Sequence, residues 1–302
     1  MKKVLIIGGS YFAGRVLVEE LTKAGGFEVH VFNRGRMKLN MPGVVEHVGD
    51  RREARQIRDA LPAETWDAVV DFCCYEPGEV DTLLDNLPGR IGHIILISTT
   101  SVYAGSKALP VREDAAPLAG RESGGDYPYD KWLAECRFRE RCKDLPHTIF
   151  RPAIIYGYYN YAPRESYFFD LLREKKPFII PDPGLSLFSM IWVVDMARIL
   201  MASLGDERAF GQAYNLASDE LISYSRIVEV LEEITGKAIE VRPMAPEQID
   251  RQKIPLPFPL AEHLVYSGAK AVKAFPIDYT PFKQGMREAL KYYLMVRRQS
   301  GG

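Results

Sequence analysis

Cysteine and histidine are scarce in this sequence, and neither sign of charge dominates it. The four cysteines, Cys73, Cys74, Cys136 and Cys142, include no C-x-x-C pair, and the five histidines lack metal-ligand spacing. No disulfide framework or metal site is therefore expected. The thiols read as reduced, with Cys73 and Cys74 buried at a strand end. A net charge of −1 argues against a broad polyanion-binding surface, so nucleic acid is not an expected partner. No apolar run is long enough to span a membrane. Met1-Lys2-Lys3 before the apolar residues 4–7 imitates a signal peptide, but the run is too short and turns straight into glycine. These absences point to a cytoplasmic protein without membrane contact. Internal repeats and low-complexity tracts are also missing.

What is present is an ordinary globular composition, 47% hydrophobic and 26% charged over 302 residues, enough for one large or two intimate domains. Residues 4–7 are a continuous apolar run, the pattern of a parallel strand covered on both faces. Gly8-Gly9-Ser10-Tyr11-Phe12-Ala13-Gly14 follows, then an amphipathic helix to about residue 24 and a strand over 28–32. Glycines at such a first turn let a pyrophosphate approach the amides at the helix N-terminus. Tyr11 stands where a G-x-x-G-x-x-G pattern has its middle glycine. It either narrows the approach to the phosphates or caps them with its hydroxyl. Further strands are expected over 44–48, 68–72, 91–97 and 147–150, separated by helices. The class is α/β, a doubly wound parallel sheet, with residues 1–155 binding a dinucleotide. Residues 156–302 form a smaller substrate lobe, from which segments near 185–220 return to the first unit.

Three stretches carry chemistry. After the second strand comes Asn33-Arg34-Gly35-Arg36, where an NAD-selective site offers an acid to the ribose 2′-hydroxyl. Asn33 in that place, with two arginines at hand, favours NADP over NAD, unless the arginines only solubilise the loop. Ser98-Thr99-Thr100-Ser101 is a hydroxyl cluster at a strand end, the edge that faces the ligand crevice in open parallel sheets. Tyr127-Pro128-Tyr129-Asp130-Lys131 opens a helix expected over 132–143 and sets Tyr127 and Lys131 one turn apart. An ammonium beside a phenol lowers the tyrosine pKa from about 10 towards neutrality and makes a usable general acid or base.

Taken together these motifs resemble the extended short-chain dehydrogenase/reductase superfamily, in its NAD-dependent epimerase/dehydratase branch. Residues 8–14 resemble its first-turn fingerprint and Asp50-Arg51 its adenine-contacting pair. Phe72-Cys73-Cys74 occupies the place of an apolar segment beside the cofactor. Ser98 to Tyr103 resembles the Ser/Thr-rich segment before Val-Tyr-Gly, which gives Thr99 the place of the catalytic Ser or Thr. Tyr127 and Lys131 match Y-x-x-x-K, Glu135 an acid that follows it, and Arg151-Pro152-Ala153-Ile154-Ile155-Tyr156-Gly157 the motif after the sixth strand. Trp192-Val193-Val194-Asp195 and Tyr214-Asn215 resemble later landmarks. The resemblance implies catalysis by Thr99, Tyr127 and Lys131. It implies cofactor contacts from Gly8, Ser10, Tyr11, Phe12, Ala13 and Gly14, then from Asn33, Arg34, Asp50 and Arg51. Phe72, Cys73, Cys74, Ser98, Tyr127, Lys131, Pro152 and Ile154 complete that set, and Tyr75, Thr99, Thr100, Tyr127 and Tyr156 are implied at the substrate. A homodimer through the helices near 79–87 and 132–143 is implied as well.

The substrate implied is a sugar derivative or another small hydroxyl or carbonyl compound, with three departures. Tyr11 in the glycine turn resembles an atypical branch that includes the chloroplast stem-loop-binding proteins, so an RNA-binding or regulatory role is the alternative. Thr100-Ser101 replaces the Asp-Glu that follows the catalytic Thr in sugar-nucleotide dehydratases, which argues against 4,6-dehydration. Phe188 stands where many nucleotide-sugar enzymes grip the diphosphate with an arginine, seven residues before the aspartate that Asp195 matches. Arg164 and Arg173 are the available substitutes.

Overall fold

The computed structural model describes residues 1–105, 108–123 and 126–299. Parts of the loop expected over 105–126, and the last three residues of the expected second lobe, lie outside the described residues. The first half alternates strand and helix: β1 (Lys2–Ile7), α1 (Phe12–Ala24), β2 (Phe27–Asn33), β3 (Val44–Val48) and α2 (Ala54–Ala60). Then come β4 (Glu64–Trp66), β5 (Ala68–Asp71), α3 (Pro77–Asn86), β6 (Gly89–Ile91), β7 (Ile94–Ile97), α4 (Asp126–Arg141) and β8 (His147–Pro152). The second half adds β9 (Ile154–Tyr156), α5 (Glu165–Glu174), β10 (Phe178–Pro181), β11 (Phe188–Trp192), α6 (Val193–Ser203) and β12 (Gln212–Leu216). It ends with β13 (Leu221–Ile222), α7 (Tyr224–Thr235), β14 (Val241–Met244), α8 (Pro246–Arg251), α9 (Ala269–Ala274) and α10 (Phe282–Gln299).

Seven strands form one parallel sheet in the order β12-β8-β7-β5-β1-β2-β3. The order reverses between β1 and β5, so the crevice above the carboxyl ends of those strands is the topological switch point where such sheets bind ligands. β1, β5 and β7 bury every residue after the first two of β1, as the continuous apolar runs require. The sheet is covered on both faces. One large cluster joins Val4, Ile6, Val16 and Ile199; the opposite face joins Leu5, Ile7, Trp66 and Phe138.

Two expectations are corrected. The strand expected over 91–97 is broken at Gly92-His93, and its first piece pairs with β4 as a separate two-stranded ribbon. The helix expected from residue 132 begins at Asp126, because a proline in the first turn gives up an N–H that has no intrahelical partner there. Tyr127 and Lys131 are thus both helical.

β12 joins the sheet edge, and α6 packs against α1 with eight of its residues buried, Val193 to Met196 among them. The rest of the second half is built on two small sheets, β13-β11-β9 and β10-β14. Among the described residues no helix is long and apolar enough to cross a membrane.

Candidate active site

The glycine turn follows β1 directly. Gly8 has φ +87°, and a side chain there would collide with the Cys73 sulfur. A Cβ on Gly14 would lie 2.5 Å from the Gly8 carbonyl, so only glycine lets α1 settle on the turn. Tyr11 caps α1 in an extended conformation, φ −139° and ψ 148°, which any residue adopts. The left-handed burden falls on the next residue instead: Phe12 has φ +40°. The Tyr11 ring leans outwards onto Tyr161 at 5.4 Å, and Phe12 meets the same ring edge-on at 5.8 Å.

A cavity of about 470 Å³ opens at this turn. Gly8, Ser10, Tyr11, Asn33 and Arg34 line it on the side of β1 and β2; Asp50, Arg51 and Cys73 line it beyond, with Tyr75 and Tyr161 at one end. Asn33 accepts a hydrogen bond from Gly35 N through Oδ1 (2.7 Å), and its buried Nδ2 has no partner. Arg51 donates to Asp71 Oδ2 at 2.6 Å and to the Glu79 carbonyl at 3.1 Å, yet its Nε is buried without a partner. Buried donors are rarely left unpaired, so a polar ligand fits this cavity. Arg34 and Arg36 give it a positive field for phosphate, whereas the charges of Arg51 and Arg52 are met by Asp71 and Glu79. Phe12 and Ala13, the first residues of α1, are instead buried, and Phe72 packs against the core.

At the carboxyl ends of β5 and β7, Lys131 is 2% exposed and its Nζ donates to the carbonyls of Cys74 (2.6 Å) and Ile97 (2.7 Å). Its charge is therefore spent on two strand ends, and burial pulls its pKa down. Tyr127 is 51% exposed and hydrogen-bonded with the Thr99 side chain. Its pKa is raised by desolvation and by the neighbouring Tyr161, against the pull of Arg164 and the Thr99 bond. The expectation that Lys131 lowers this pKa is corrected: the ammonium is taken up by carbonyls. Tyr75 joins the group, 6.3 Å from the Tyr127 ring and with the Lys131 ammonium 5.5 Å over its face.

Two residues expected at the substrate are enclosed elsewhere. Tyr156 is 2% exposed between Trp192 (5.2 Å) and Phe282 (5.5 Å), and Thr100 is buried with its hydroxyl on the Pro152 carbonyl. Ile154 pairs with Met190 in the small sheet. Arg151, Glu135, Tyr103 and Asn215, spread over the sequence as separate landmarks, meet in one buried network. Arg151 pairs with Glu135 at 2.6 Å and donates to Tyr103 Oη, which donates to Asn215 Oδ1. The sequence reading missed the acids behind Arg51, Asp71 and Glu79, whose partner lies across the sheet. Tyr161 ends the aromatic run 156–161, which in the sequence reads either as a wall of the substrate lobe or as ordinary packing, and its ring lines the cavity.

No family model matches the chain. The chloroplast stem-loop binding protein of 41 kDa b of Arabidopsis thaliana is 29% identical over 250 residues, which is 78% of this chain and 64% of the relative. The chain thus spans just under two thirds of that relative's length. Among solved structures, the UDP-glucuronic acid 4-epimerase of Bacillus cereus, in complex with UDP-glucuronic acid and NAD, superposes with a TM-score of 0.77 at 19% identity. The match covers 97% of this chain and 99% of that one. The dTDP-glucose 4,6-dehydratase of Bacillus anthracis, in complex with NAD, gives 0.76 at 16% identity over 99% and 98%. In its motifs the chain resembles the extended short-chain dehydrogenases/reductases, and it has the fold of their NAD-dependent epimerase and dehydratase branch.

Proposed function

We propose that the protein is an NAD(P)-dependent oxidoreductase or epimerase of the extended short-chain type, acting on a hydroxyl or carbonyl carbon of a sugar or another small molecule. The observation that carries this reading is the grouping of Thr99, Tyr127 and Lys131 at the carboxyl ends of β5 and β7, next to a phosphate-compatible cavity with orphaned donors. The nicotinamide, when bound, supplies or accepts a hydride at its C4. Tyr127 moves the proton of the substrate oxygen, and Thr99 hydrogen-bonds that same oxygen. With its pKa raised, Tyr127 is protonated at neutral pH and serves as the acid of the reducing direction. In the oxidising direction it must first ionise, so oxidation accelerates as pH rises. Lys131 uses two N–H groups on carbonyls and keeps its third for a ribose hydroxyl. Residues 1–155, with β12 and α6, serve the dinucleotide and the remainder the substrate. α3 and α4 serve association into a homodimer.

Arg34 and Arg36 lie at the Asn33 end of the cavity and form no ion pair among the described residues, which favours a 2′-phosphate and thus NADP. Calorimetric titration with NAD⁺, NADH, NADP⁺ and NADPH, beside single-stranded RNA, is the first test. Micromolar dinucleotide binding is expected, stronger for the phosphorylated pair. Replacing Arg34 and Arg36 by Ala should weaken NADPH at least tenfold and leave NADH within twofold. Tyr127→Phe should retain dinucleotide binding and lose turnover by about 10²–10⁴-fold; wild-type activity in that variant sinks the mechanism.

The Arabidopsis relative's name supports a second reading, an RNA-binding protein on a dinucleotide fold. A cluster of Arg34, Arg36, Arg51, Arg52 and Arg55 outside the cavity would serve RNA; the first four line the cavity instead, and Arg55 pairs with Asp59. Salt-dependent RNA binding without dinucleotide binding would favour this second reading.

A further inference from the structure

Among the described residues, the walls of the cavity at the glycine turn come from residues 7–75, with one exception. Tyr161 lines it from the loop between β9 and α5, in the second half of the chain. Phe188, where many nucleotide-sugar enzymes place a phosphate-gripping arginine, offers nothing to a ligand. It is fully buried, stacked on Phe258 at 4.6 Å and set against Tyr224 at 6.0 Å. The second half reaches this cavity through Tyr161.

The loop that carries Tyr161 is fixed on both sides of it. Glu165 Oε1 accepts from Gly157 N (2.8 Å) and Oε2 from Asn160 Nδ2 (2.9 Å), while Asn160 Oδ1 accepts from Ala162 N (3.0 Å). Tyr159 takes a left-handed φ of +60°, lies 4.4 Å from the Arg15 guanidinium, and donates through its hydroxyl to Glu19 Oε1 at 2.6 Å. Arg15 and Glu19 belong to α1, so the loop is docked on the helix that the glycine turn opens. Tyr161 itself is left 67% exposed, and its ring meets Tyr11 at 5.4 Å and Phe12 at 5.8 Å. Tyr11 is 45% exposed and lines the same cavity. Two exposed rings on fixed backbones, meeting at the mouth of a cavity, contribute little to the core.

We propose that Tyr161 is a dinucleotide-binding residue supplied by the second half of the chain, and that it closes with Tyr11 into a clasp that holds the cofactor at the glycine turn. This rests on the reading of the cavity as a dinucleotide site. The bulky residue at the middle of the turn then has a role, since a glycine there would give Tyr161 no ring to meet. A dinucleotide leaves only when the two rings part, so the clasp slows its release. The contact is made by ring faces and edges, which attract at these separations. It therefore needs the rings and not the hydroxyls.

The test is stopped-flow fluorescence with bound NADPH as the probe, displaced by excess NADP⁺, or the NADH and NAD⁺ pair if that form binds more tightly. Release from Tyr161→Ala and from Tyr11→Ala is expected to be about fivefold faster than from wild type, the size of one aromatic pair. Melting temperatures of the free variants should stay unchanged, because both rings are exposed. Tyr161→Phe should release within twofold of wild type. The double alanine variant should be no faster than the faster single one, because the two rings act as one contact. Unchanged release in Tyr161→Ala, a Tyr161→Phe variant as fast as Tyr161→Ala, or effects that multiply in the double variant overturns the clasp. No dinucleotide binding by the wild type overturns the reading of the cavity itself, whereas binding with unchanged release in Tyr161→Ala overturns the clasp alone.

Discussion

At the residue scale, Phe12 shows how two opposing terms are decided by size. Its left-handed φ of +40° costs on the order of 1–3 kcal/mol in a non-glycine residue. Its ring is 8% exposed, and removing a buried Phe costs about 3–5 kcal/mol. Burial outweighs strain, so Phe12→Gly should destabilise the protein by about 2 kcal/mol despite relieving the backbone, read as a lower urea midpoint. His93 offers a residue-scale pH dependence. It is fully buried between the Thr148 hydroxyl (2.8 Å) and Gly205 N (3.2 Å), and burial lowers its pKa to about 4. The unfolded chain binds this proton more readily, so His93 contributes stability above the unfolded value that is lost as pH falls from about 6.5 to 4. The loss is about 3 kcal/mol. None of this could be read from the sequence. His93 occurs within an apolar run, and the direction of the Tyr127 shift depends on burial and on Tyr161, which only the fold brings beside it.

At the scale of elements, strands such as β1 and β5 were legible because continuous apolar residues run between polar or glycine stops. β4 and β6 were not, because three-residue pieces carry no period. The start of α4 was hidden by a proline that marks a first turn as readily as a break. The loop before α5 was legible only as aromatic; its organising residue is the buried Glu165. Desolvation raises the Glu165 pKa to about 7. A carboxyl with a raised folded pKa favours the folded state where it is protonated, so stability from this group falls as pH rises from about 4.5 to 7. The magnitude is about 3 kcal/mol. His93 and Glu165 therefore oppose each other over nearly the same interval. Urea titrations between pH 4 and 7.5 should show a slope in each variant relative to wild type: stability falling with pH in His93→Gln, and rising with pH in Glu165→Gln. Parallel curves in all three proteins would contradict both assignments.

At the scale of the whole molecule, the site was legible as a list and not as an arrangement. Gly8, Ser10, Asn33, Arg34 and Asp50 line one cavity as the motifs implied, whereas Tyr156 and Thr100 carry the family pattern and are enclosed. Motif position fixes a backbone site, but the direction of a side chain depends on what packs around it. The same holds for the boundary near residue 155. β12 is an edge strand of the main sheet and α6 covers α1, so a fragment of residues 1–155 leaves β8 unpaired on one side and the α1 face bare. That fragment should aggregate or remain unfolded, and the full chain should unfold in a single transition by circular dichroism. An independently folded fragment with a sharp melting curve would contradict this.

Phe188 also limits what one substitution can do. An arginine at this position would set a cation among the buried rings of Phe258 and Tyr224. No single change here can therefore install a working phosphate grip. Phe258 and Tyr224 would have to shrink or turn polar first, and each such step loosens the core before any grip is gained.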